Sequence, residues 1–237
     1  PTLPVTPALA GLFGPYLILN GSEVPLDAGS QMNEFQALQA LLIPSADDVA
    51  DALATWFFGS MPGYLVAANR LVQQLGMTET VVAGDASGFL PSTVSTPADE
   101  VLLGQAAIDN PVATSITSQK SLTLPGGRKV NNTDLLLGVD GITGIKTGNT
   151  NEAGGCFVFT TNFAGHLEEL EAAITGAGTH TGPAFFAISD GSQTRLYYDA
   201  NTHSGTDGPG LVALAELQGV GDVNQTPVTF VPETSPV

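Results

Sequence analysis

Apolar residues recur at helical spacing through residues 33–58, and each run begins at a capping pattern. Asn33, followed three positions later by Gln36, predicts the capping box of a first helix. Ser45, followed three positions later by Asp48, predicts the same kind of cap for a second helix. On local sequence alone, Ser45 is therefore interpreted as a helix cap.

Two further helices are predicted before residue 110. Pro62 stands where the first turn of a helix tolerates proline, and an apolar stripe continues from it to Gly76. Thr96 and Pro97 begin the next helix, with Glu100 completing a capping box. The first half of the chain is thus predicted to be largely helical.

From residue 112 the pattern changes to short alternating runs. Ile116–Leu124 and Lys129–Val130 flank a turn at Pro125–Gly127 and predict a hairpin. Ile142–Thr147 and Cys156–Thr161 predict two strands joined by a Gly-rich turn. A helical block followed by antiparallel strands predicts the α+β class.

The domain organisation follows from these patterns and from turn signals. Residues 1–17 are punctuated by Pro and Gly and are predicted to be irregular. The main domain is placed at 18–163, with a boundary near 164 or near 178. Residues 164–225 are predicted to be β-rich, with strands near 184–188 and 194–198, and residues 226–237 to be a tail.

The charge balance changes the functional picture. Acidic residues outnumber basic ones 23 to 6, which gives a formal net charge of −17. Such a surface repels nucleic acid and is not drawn to anionic lipid. The acidic, Lys-poor composition is typical of an exported or cell-envelope bacterial protein, and an extracytoplasmic location is the expectation.

The sequence predicts neither a metal nor a cofactor. Cys156 is the single cysteine, so no internal disulfide can form, and it is interpreted as a small buried hydrophobe. The three histidines are too scattered to suggest a ligand set. The sequence contains no run of 18 apolar residues, so it predicts no membrane-spanning helix.

The sharpest chemical signal is the segment Gly144–Thr150, with the sequence GIKTGNT. It follows an apolar approach strand, and the Gly-rich turn Ala153–Gly155 leads into the next strand. A Lys-Thr-Gly triplet alone recurs by chance, but this context is specific. Lys146 is one of three lysines in the chain, and its alternative interpretation is a solubilising residue on a strand edge.

The span 18–161 resembles the later part of the serine D-alanyl-D-alanine carboxypeptidase family, which comprises penicillin-binding, β-lactamase-like domains. The family's active-site strand is close to the pattern GIKTGxTxxAG. Other segments match its landmarks in chain order; they are Leu41–Ala50, Gly59–Ser60, Asn69, Leu75–Met77, Asp85–Phe89, Thr93–Thr96 and Asn132–Leu136.

The resemblance implies a β-lactamase/transpeptidase-like fold and acyl transfer from a D-alanyl peptide. By resemblance, Ser45 relays protons, and Lys146 holds the substrate carboxylate. Thr147 hydrogen-bonds the same carboxylate, and the backbone N–H of Asn149 supplies half of the oxyanion hole. The expected catalytic residues are thus Ser45, Asp47 and Lys146, and the expected substrate-binding residues are Thr147, Gly148, Asn149 and Thr150.

Two departures from the family pattern affect this expectation. The family's nucleophile motif is Ser-x-x-K, and the residues three positions before the lysines are Thr117, Gly126 and Thr143, so the motif is absent. It would fall before Pro1, so truncation is the expected explanation and loss in a degenerate homologue is the alternative. In the Ser-x-Asn motif, Asp47 replaces Asn; its carboxylate accepts but does not donate, and it opposes a substrate carboxylate.

Residues 182–223 weakly resemble C-terminal units of secreted calcium-binding repeat or surface-layer proteins. Asp199, Asn201 and Asp207 are candidate calcium ligands, but the spacing departs from an EF-hand, and a solvated acidic loop is the favoured interpretation. The change of resemblance near residue 164 leaves open an origin from two joined sources.

Two functional hypotheses remain. The first is a truncated serine D-alanyl-D-alanine carboxypeptidase domain that acts on peptidoglycan stem peptides and binds β-lactams. The second is a non-catalytic exported structural, surface-layer or binding protein that keeps the scaffold. An incomplete sheet would also expose an edge, which predicts self-association.

Overall fold

The structure is a computed structural model, and it describes residues 1–138 and 142–161 together with the strands at 184–189, 193–199, 211–218 and 229–230. The chain divides into two compact units. The first unit comprises Pro1–Asp99 and Asn110–Thr133, and the second comprises Glu100–Asp109 and Asp134–Val237.

The described elements agree with the predicted α+β class. In chain order they are β1 (Thr2–Pro4), α1 (Pro7–Ala10), α2 (Phe13–Leu19), β2 (Gln31–Asn33), α3 (Glu34–Leu42), α4 (Asp47–Phe58), α5 (Met61–Gln74), α6 (Pro97–Ile108), α7 (Pro111–Thr117), β3 (Ser121–Thr123), β4 (Lys129–Asn131), β5 (Ile142–Thr150), β6 (Gly154–Thr161), β7 (Ala184–Ser189), β8 (Gln193–Asp199), β9 (Leu211–Gln218) and β10 (Thr229–Phe230).

The first seventeen residues contain β1, α1 and most of α2, so the prediction of an irregular segment is wrong. β1 pairs antiparallel with β2, which sets Leu3 opposite Met32, and both side chains lie in the core of the first unit. Thr6 caps α1 by accepting a hydrogen bond from the Leu9 N–H at 3.2 Å. These elements are too short to show a period in the sequence, and tertiary burial stabilises them.

Local capping chemistry correctly predicts the start of α3. The Asn33 side chain accepts from the Gln36 N–H at 2.9 Å, and the Gln36 side chain accepts from the Asn33 N–H at 3.0 Å. Ser60 likewise caps α5 through the Gly63 N–H at 3.2 Å. Both helices begin where their own side chains satisfy the unpaired backbone donors.

The predicted Ser45 cap of α4 is wrong. Ala46 occupies the cap position and makes no side-chain cap bond, and Ser45 has a positive φ of 60°. Asp48 is the second residue of α4, and its carboxylate accepts from the distant Val24 N–H at 3.1 Å. A tertiary hydrogen bond therefore replaces the capping box that the local sequence predicts.

The capping box of α6 also differs from the prediction. Thr96 does cap the helix, because it accepts from the Asp99 N–H at 3.3 Å. The third helical residue is thus Asp99 and not Glu100. The Asp99 carboxylate accepts from Thr80 Oγ1 at 2.6 Å and from the Glu79 N–H at 2.9 Å, so it stabilises a neighbouring loop.

The predicted hairpin begins later than expected. Its strands are β3 and β4, whereas residues 111–117 form α7. Asn110 caps α7 by accepting from the Val112 N–H at 2.9 Å, and Pro111 occupies the first turn. The Asn-Pro pair is a helix start signal that overrides the β-branched residues following it.

The second unit contains a sheet whose described strands run in the order β10-β9-β8-β7-β6-β5. The predicted strands of the β5–β6 pair and of the β7–β8 pair are confirmed, and β7 pairs parallel with β6. The boundary near 164 stays a prediction. The candidate ligands Asn201 and Asp207 and most of the 226–237 tail lie outside the described residues.

None of the described helices combines the length and the apolar character that crossing a bilayer requires.

Candidate active site

The Lys-Thr-Gly segment lies on β5, which is the strand at one edge of the described sheet. Antiparallel pairing sets Lys146 opposite Val158, Thr147 opposite Phe157 and Gly148 opposite Cys156. A register shift follows Ile142, where Gly144 takes a φ of 144° that favours glycine. Because β5 is an edge strand, its outward backbone groups have no neighbouring strand in the described sheet.

The apolar face of the hairpin holds the segment in place. Phe157 and Phe159 are buried, and their rings stack at a centroid distance of 5.1 Å. In the second unit, α6 approaches this hairpin closely, since a Cβ on Gly104 would lie 2.9 Å from Val158 Cγ1. The same position on α6 lies 3.4 Å from Ile145 Cδ1, so the helix packs against both strands of the hairpin.

Lys146 is half-buried on β5, and its ammonium donates a hydrogen bond to the Thr147 carbonyl oxygen. Its positive charge also acts on the buried carboxylate of Asp134. Burial raises the pKa of Asp134, while the Leu136 and Leu137 N–H groups and the Lys146 ammonium oppose that rise. The lysine is therefore one part of an electrostatic arrangement inside the second unit.

The turn after the motif is closed by the motif's own last residue. Thr150 Oγ1 accepts from the Ala153 N–H at 3.0 Å, and Gly148 and Asn149 are exposed at the end of β5. Cys156 is half-buried opposite Gly148. Burial, and then the nearby Glu100 carboxylate, raise the pKa of its thiol, so it is not an activated nucleophile.

The Ser45–Asp48 segment belongs to the first unit and joins α3 to α4. The Ser22 N–H donates to Asp47 Oδ2 at 2.9 Å, and the Asp47 N–H donates to the Ser22 carbonyl at 2.8 Å. Gly21 leaves room for this contact, because a Cβ there would lie 2.8 Å from Asp47 Oδ2. The amide oxygen of an Asn would accept the same bond, so the contact is compatible with either residue.

Asp48 is a buried acid next to this segment, with 1% of its surface exposed. Burial raises its pKa to about 6, against the opposing hydrogen bonds that its carboxylate accepts from the Val24, Val49 and Asp48 N–H groups. The sequence pattern predicted that Asp48 completes a capping box and did not predict its burial. An acidic residue within an otherwise apolar helical stripe was the signal that could have indicated this burial.

A second group of polar residues beside α4 was also missed. Tyr16 donates to Asp51 Oδ2 at 2.7 Å, and the Ala86 N–H donates to Asp51 Oδ1 at 2.8 Å. Asp85 accepts through Oδ2 from the Phe89 N–H at 3.0 Å, while its buried Oδ1 has no hydrogen-bond partner within the described ranges. Burial raises the pKa of Asp51 and, together with Asp51, that of Tyr16.

The structure thus places the predicted site residues in two groups. Ser45 and Asp47 lie in the first unit, and the contiguous residues Lys146 to Thr150 lie in the second. Their catalytic and binding roles stay predictions. Within the described part of the chain, no group of three or more His, Cys, Asp or Glu residues is placed to hold a metal ion.

Comparison with solved structures defines the class of fold. The Streptomyces K15 DD-transpeptidase matches with a TM-score of 0.61 and 24% identity, over 69% of this chain and 68% of that chain. Penicillin-binding protein D2 from Listeria monocytogenes, solved in its cefotaxime-bound form, matches with a TM-score of 0.51 and 28% identity, over 69% and 76% of the two chains. The fold is that of the penicillin-binding DD-transpeptidases.

The family model for D-alanyl-D-alanine carboxypeptidases, peptidase S11, matches residues 17–175, and the chain belongs to this family. DacA of Haemophilus influenzae is 27% identical over 69% of this chain and 42% of the relative. DacA of Escherichia coli K12 is 35% identical over 54% of this chain and 32% of the relative. The chain therefore spans less than half the length of these relatives.

Proposed function

We propose that this chain carries the substrate-binding strand of a serine D-alanyl-D-alanine carboxypeptidase that acts on peptidoglycan stem peptides. The observation that supports the proposal most is the GIKTGNT segment on the edge strand β5 in a chain of this family. Peptidoglycan lies outside the cytoplasmic membrane, so the proposal includes an extracytoplasmic location.

The edge position explains how a peptide would be held. An extended peptide can add to an exposed strand through backbone hydrogen bonds, and this leaves side chains at the strand to read its terminus. Lys146 offers a positive charge for the terminal carboxylate, and the Thr147 hydroxyl offers a hydrogen bond to it. Asn149 is exposed near the end of β5, and its backbone N–H is our candidate for one oxyanion donor.

Cleavage of the peptide bond needs more than this strand. The acyl-enzyme chemistry of the family requires a serine activated by a lysine in the Ser-x-x-K motif, which these 237 residues do not contain. The proton-relay role proposed for Ser45 depends on that pair. We therefore assign peptide binding to this chain's own residues, and we assign the nucleophile to a segment outside this sequence.

A second candidate is a non-catalytic binding or structural protein that keeps the scaffold. The absence of Ser-x-x-K and the presence of Asp47 in place of Asn favour it. The two candidates differ in whether the segment 146–150 selects a peptide with a terminal carboxylate.

A fluorescent penicillin tests the proposal in two ways, because a β-lactam mimics the D-alanyl terminus. Anisotropy should report reversible binding to the whole chain, and a denaturing gel should show no covalent label. Lys146→Met should remove the reversible binding, whereas Lys129→Met, at an exposed lysine on β4, should retain it.

Absence of reversible binding to the parent chain would contradict the proposal and favour the structural role. Covalent labelling of the parent chain would show that a nucleophile lies within this sequence, which would contradict the assignment of the serine to another segment.

A further inference from the structure

A pocket separate from the Lys-Thr-Gly strand lies within the first unit. Its volume is about 410 Å³, which is in the lower part of the range of small-molecule sites. Residues of the loop at 24–32 and of the β3–β4 turn at 124–128 line it. All of them belong to the first unit, and none is among the predicted site residues.

The apolar lining of this pocket is part of the hydrophobic core. Val24, Met32 and Leu124 each have at most 5% of their surface exposed, and all three belong to one core cluster. Leu26, which also lines the pocket, packs against the same cluster. An apolar group that enters the pocket would therefore meet a close-packed surface and not a mobile one.

Backbone hydrogen bonds hold both lining segments in place. The Val5 N–H donates to the Ser30 carbonyl at 3.0 Å, and the Gly29 N–H donates to the Val5 carbonyl at 2.8 Å, so the loop is tied to the end of β1. The Leu124 N–H donates to the Arg128 carbonyl at 2.8 Å and closes the turn. The pocket is thus formed before any ligand arrives, which lowers the entropy cost of binding.

Two opposite charges stand at the exposed part of the pocket. The side chains of Asp27 and Arg128 line it and are exposed, and neither makes a side-chain hydrogen bond or an ion pair among the described residues. A Cβ on Gly126 would lie 3.7 Å from Asp27 Oδ2, so the carboxylate lies beside the turn that carries Arg128. Gly126 has a φ of 90°, which favours glycine at this position.

We propose that this pocket binds a zwitterionic amino acid or dipeptide with an apolar side chain. The Arg128 guanidinium would hold the ligand carboxylate through two parallel hydrogen bonds, and the Asp27 carboxylate would accept from its ammonium group. The apolar side chain would cover Met32 and Leu124. A simple anion fits less well, because Asp27 and the net charge of −17 repel it. This inference goes beyond the proposed function and does not depend on it.

A 15N NMR titration of the whole chain with the dipeptide leucyl-leucine tests the proposal. The expected result is shifts of the amides at 24–32 and 124–128. Asp27→Asn and Arg128→Gln should each weaken the affinity by about fivefold, or about 1 kcal/mol, the upper value for exposed ion pairs. Lys129→Gln is the matched control, because this neighbouring exposed lysine does not line the pocket.

Two analogues of the dipeptide assign each charge to its partner. Leucyl-leucinamide lacks the carboxylate, so it should bind the parent and Arg128→Gln alike. N-acetyl-leucyl-leucine lacks the ammonium, so it should bind the parent and Asp27→Asn alike. The urea midpoints of all three variants should equal that of the parent, because the three side chains are exposed. A change in affinity would then not reflect a change in folding.

Three results would overturn the proposal. The first is the absence of shifts in both lining segments at millimolar dipeptide, and the second is equal affinity for the dipeptide and both analogues. The third is a shift of the same amides on dilution of the chain alone, which would assign the pocket to a second copy. Lys146→Met should leave the titration unchanged, so failure at this pocket is distinguishable from failure of the proposed function.

Discussion

The two segments that carry the predicted site residues are built by different forces. The start of α4, with Ser45, Asp47 and Asp48, is held by hydrogen bonds to residues 22–24, far back along the chain. The segment 146–150 is held by strand register and by the stacked rings behind it. Hydrogen bonds to the buried Asp48 and to its neighbour Asp47 therefore hold the first segment, whereas strand pairing and ring packing hold the second.

The two segments should therefore be sensitive to different changes. For the first segment, a change of pH or the loss of a carboxylate should change the free energy of unfolding. For the second segment, loss of the positive charge should lower the affinity for the ligand and leave the free energy of unfolding nearly unchanged. The four predictions below test that division, from the largest expected effect to the smallest.

The largest effect is expected at Asp48. Burial raises its pKa in the folded state to about 6, above the ordinary value of 3.8, so the folded state binds the proton more tightly. The stability from this group is fully present below about pH 4 and is lost as the pH rises to about 6. The loss is about 3 kcal/mol, at roughly 1.4 kcal/mol per pKa unit.

Urea denaturation of the parent and of Asp48→Asn between pH 4 and pH 7 measures this effect. The Asn variant should lose that part of the pH dependence, and Asp27→Asn, at an exposed acid, should retain it. Identical pH profiles for the parent and Asp48→Asn would show that the first segment is not controlled by this buried acid.

The next effect is expected at Lys146. Lys146→Met should weaken reversible penicillin binding by tenfold or more, since a hydrogen bond to a charged group contributes about 1.5–3 kcal/mol. Its urea midpoint should stay close to that of the parent. A large fall in stability with unchanged affinity would reverse the division between the two segments.

A smaller effect is expected at Tyr16. Tyr16→Phe removes the hydroxyl that donates to Asp51 and leaves the ring against Phe89 in place. The expected cost is about 1 kcal/mol in the free energy of unfolding, because Asp51 keeps the Ala86 N–H as a partner. Tyr64→Phe, whose ring packs against Phe58, is a control for the loss of a tyrosine hydroxyl, and equal effects of the two changes would argue against a specific bond at Asp51.

The smallest effect is expected at Asp47. Asp47→Asn retains an acceptor for the Ser22 N–H, so stability should change by less than about 0.5 kcal/mol. Urea denaturation measures this change, and a clearly larger loss of stability would show that the Asp47 carboxylate makes a contact that an amide cannot replace.

Local sequence signals predicted the parts of this fold that local chemistry determines. The Asn33–Gln36 capping box and the β5–β6 hairpin follow from neighbouring residues, and both are confirmed. The positive φ of Ser45 and the hydrogen bond from the Val24 N–H to Asp48 could not be predicted, because neither follows from the local pattern of residues. The residues around Ser45 contain no pattern that indicates a hydrogen bond between Asp48 and the distant Val24.

The candidate site shows the same limit. The segment 144–150 was identified by its resemblance to a family motif, and the family is confirmed. The relations between Asp134 and Lys146 and between Tyr16 and Asp51 join residues with no shared sequence pattern. Only the tertiary structure brings each pair together, so sequence patterns alone could not assign them.

The central claim is that residues 146–150 bind a peptide through its terminal carboxylate. The most direct measurement is a 15N NMR titration of the whole chain with an acylated D-Ala-D-Ala peptide and with its carboxamide. The account predicts shifts of the Lys146–Thr150 amides with the acid, and much smaller shifts with the carboxamide or in Lys146→Met. Equal shifts for acid and carboxamide, or no shifts in this segment, would contradict it.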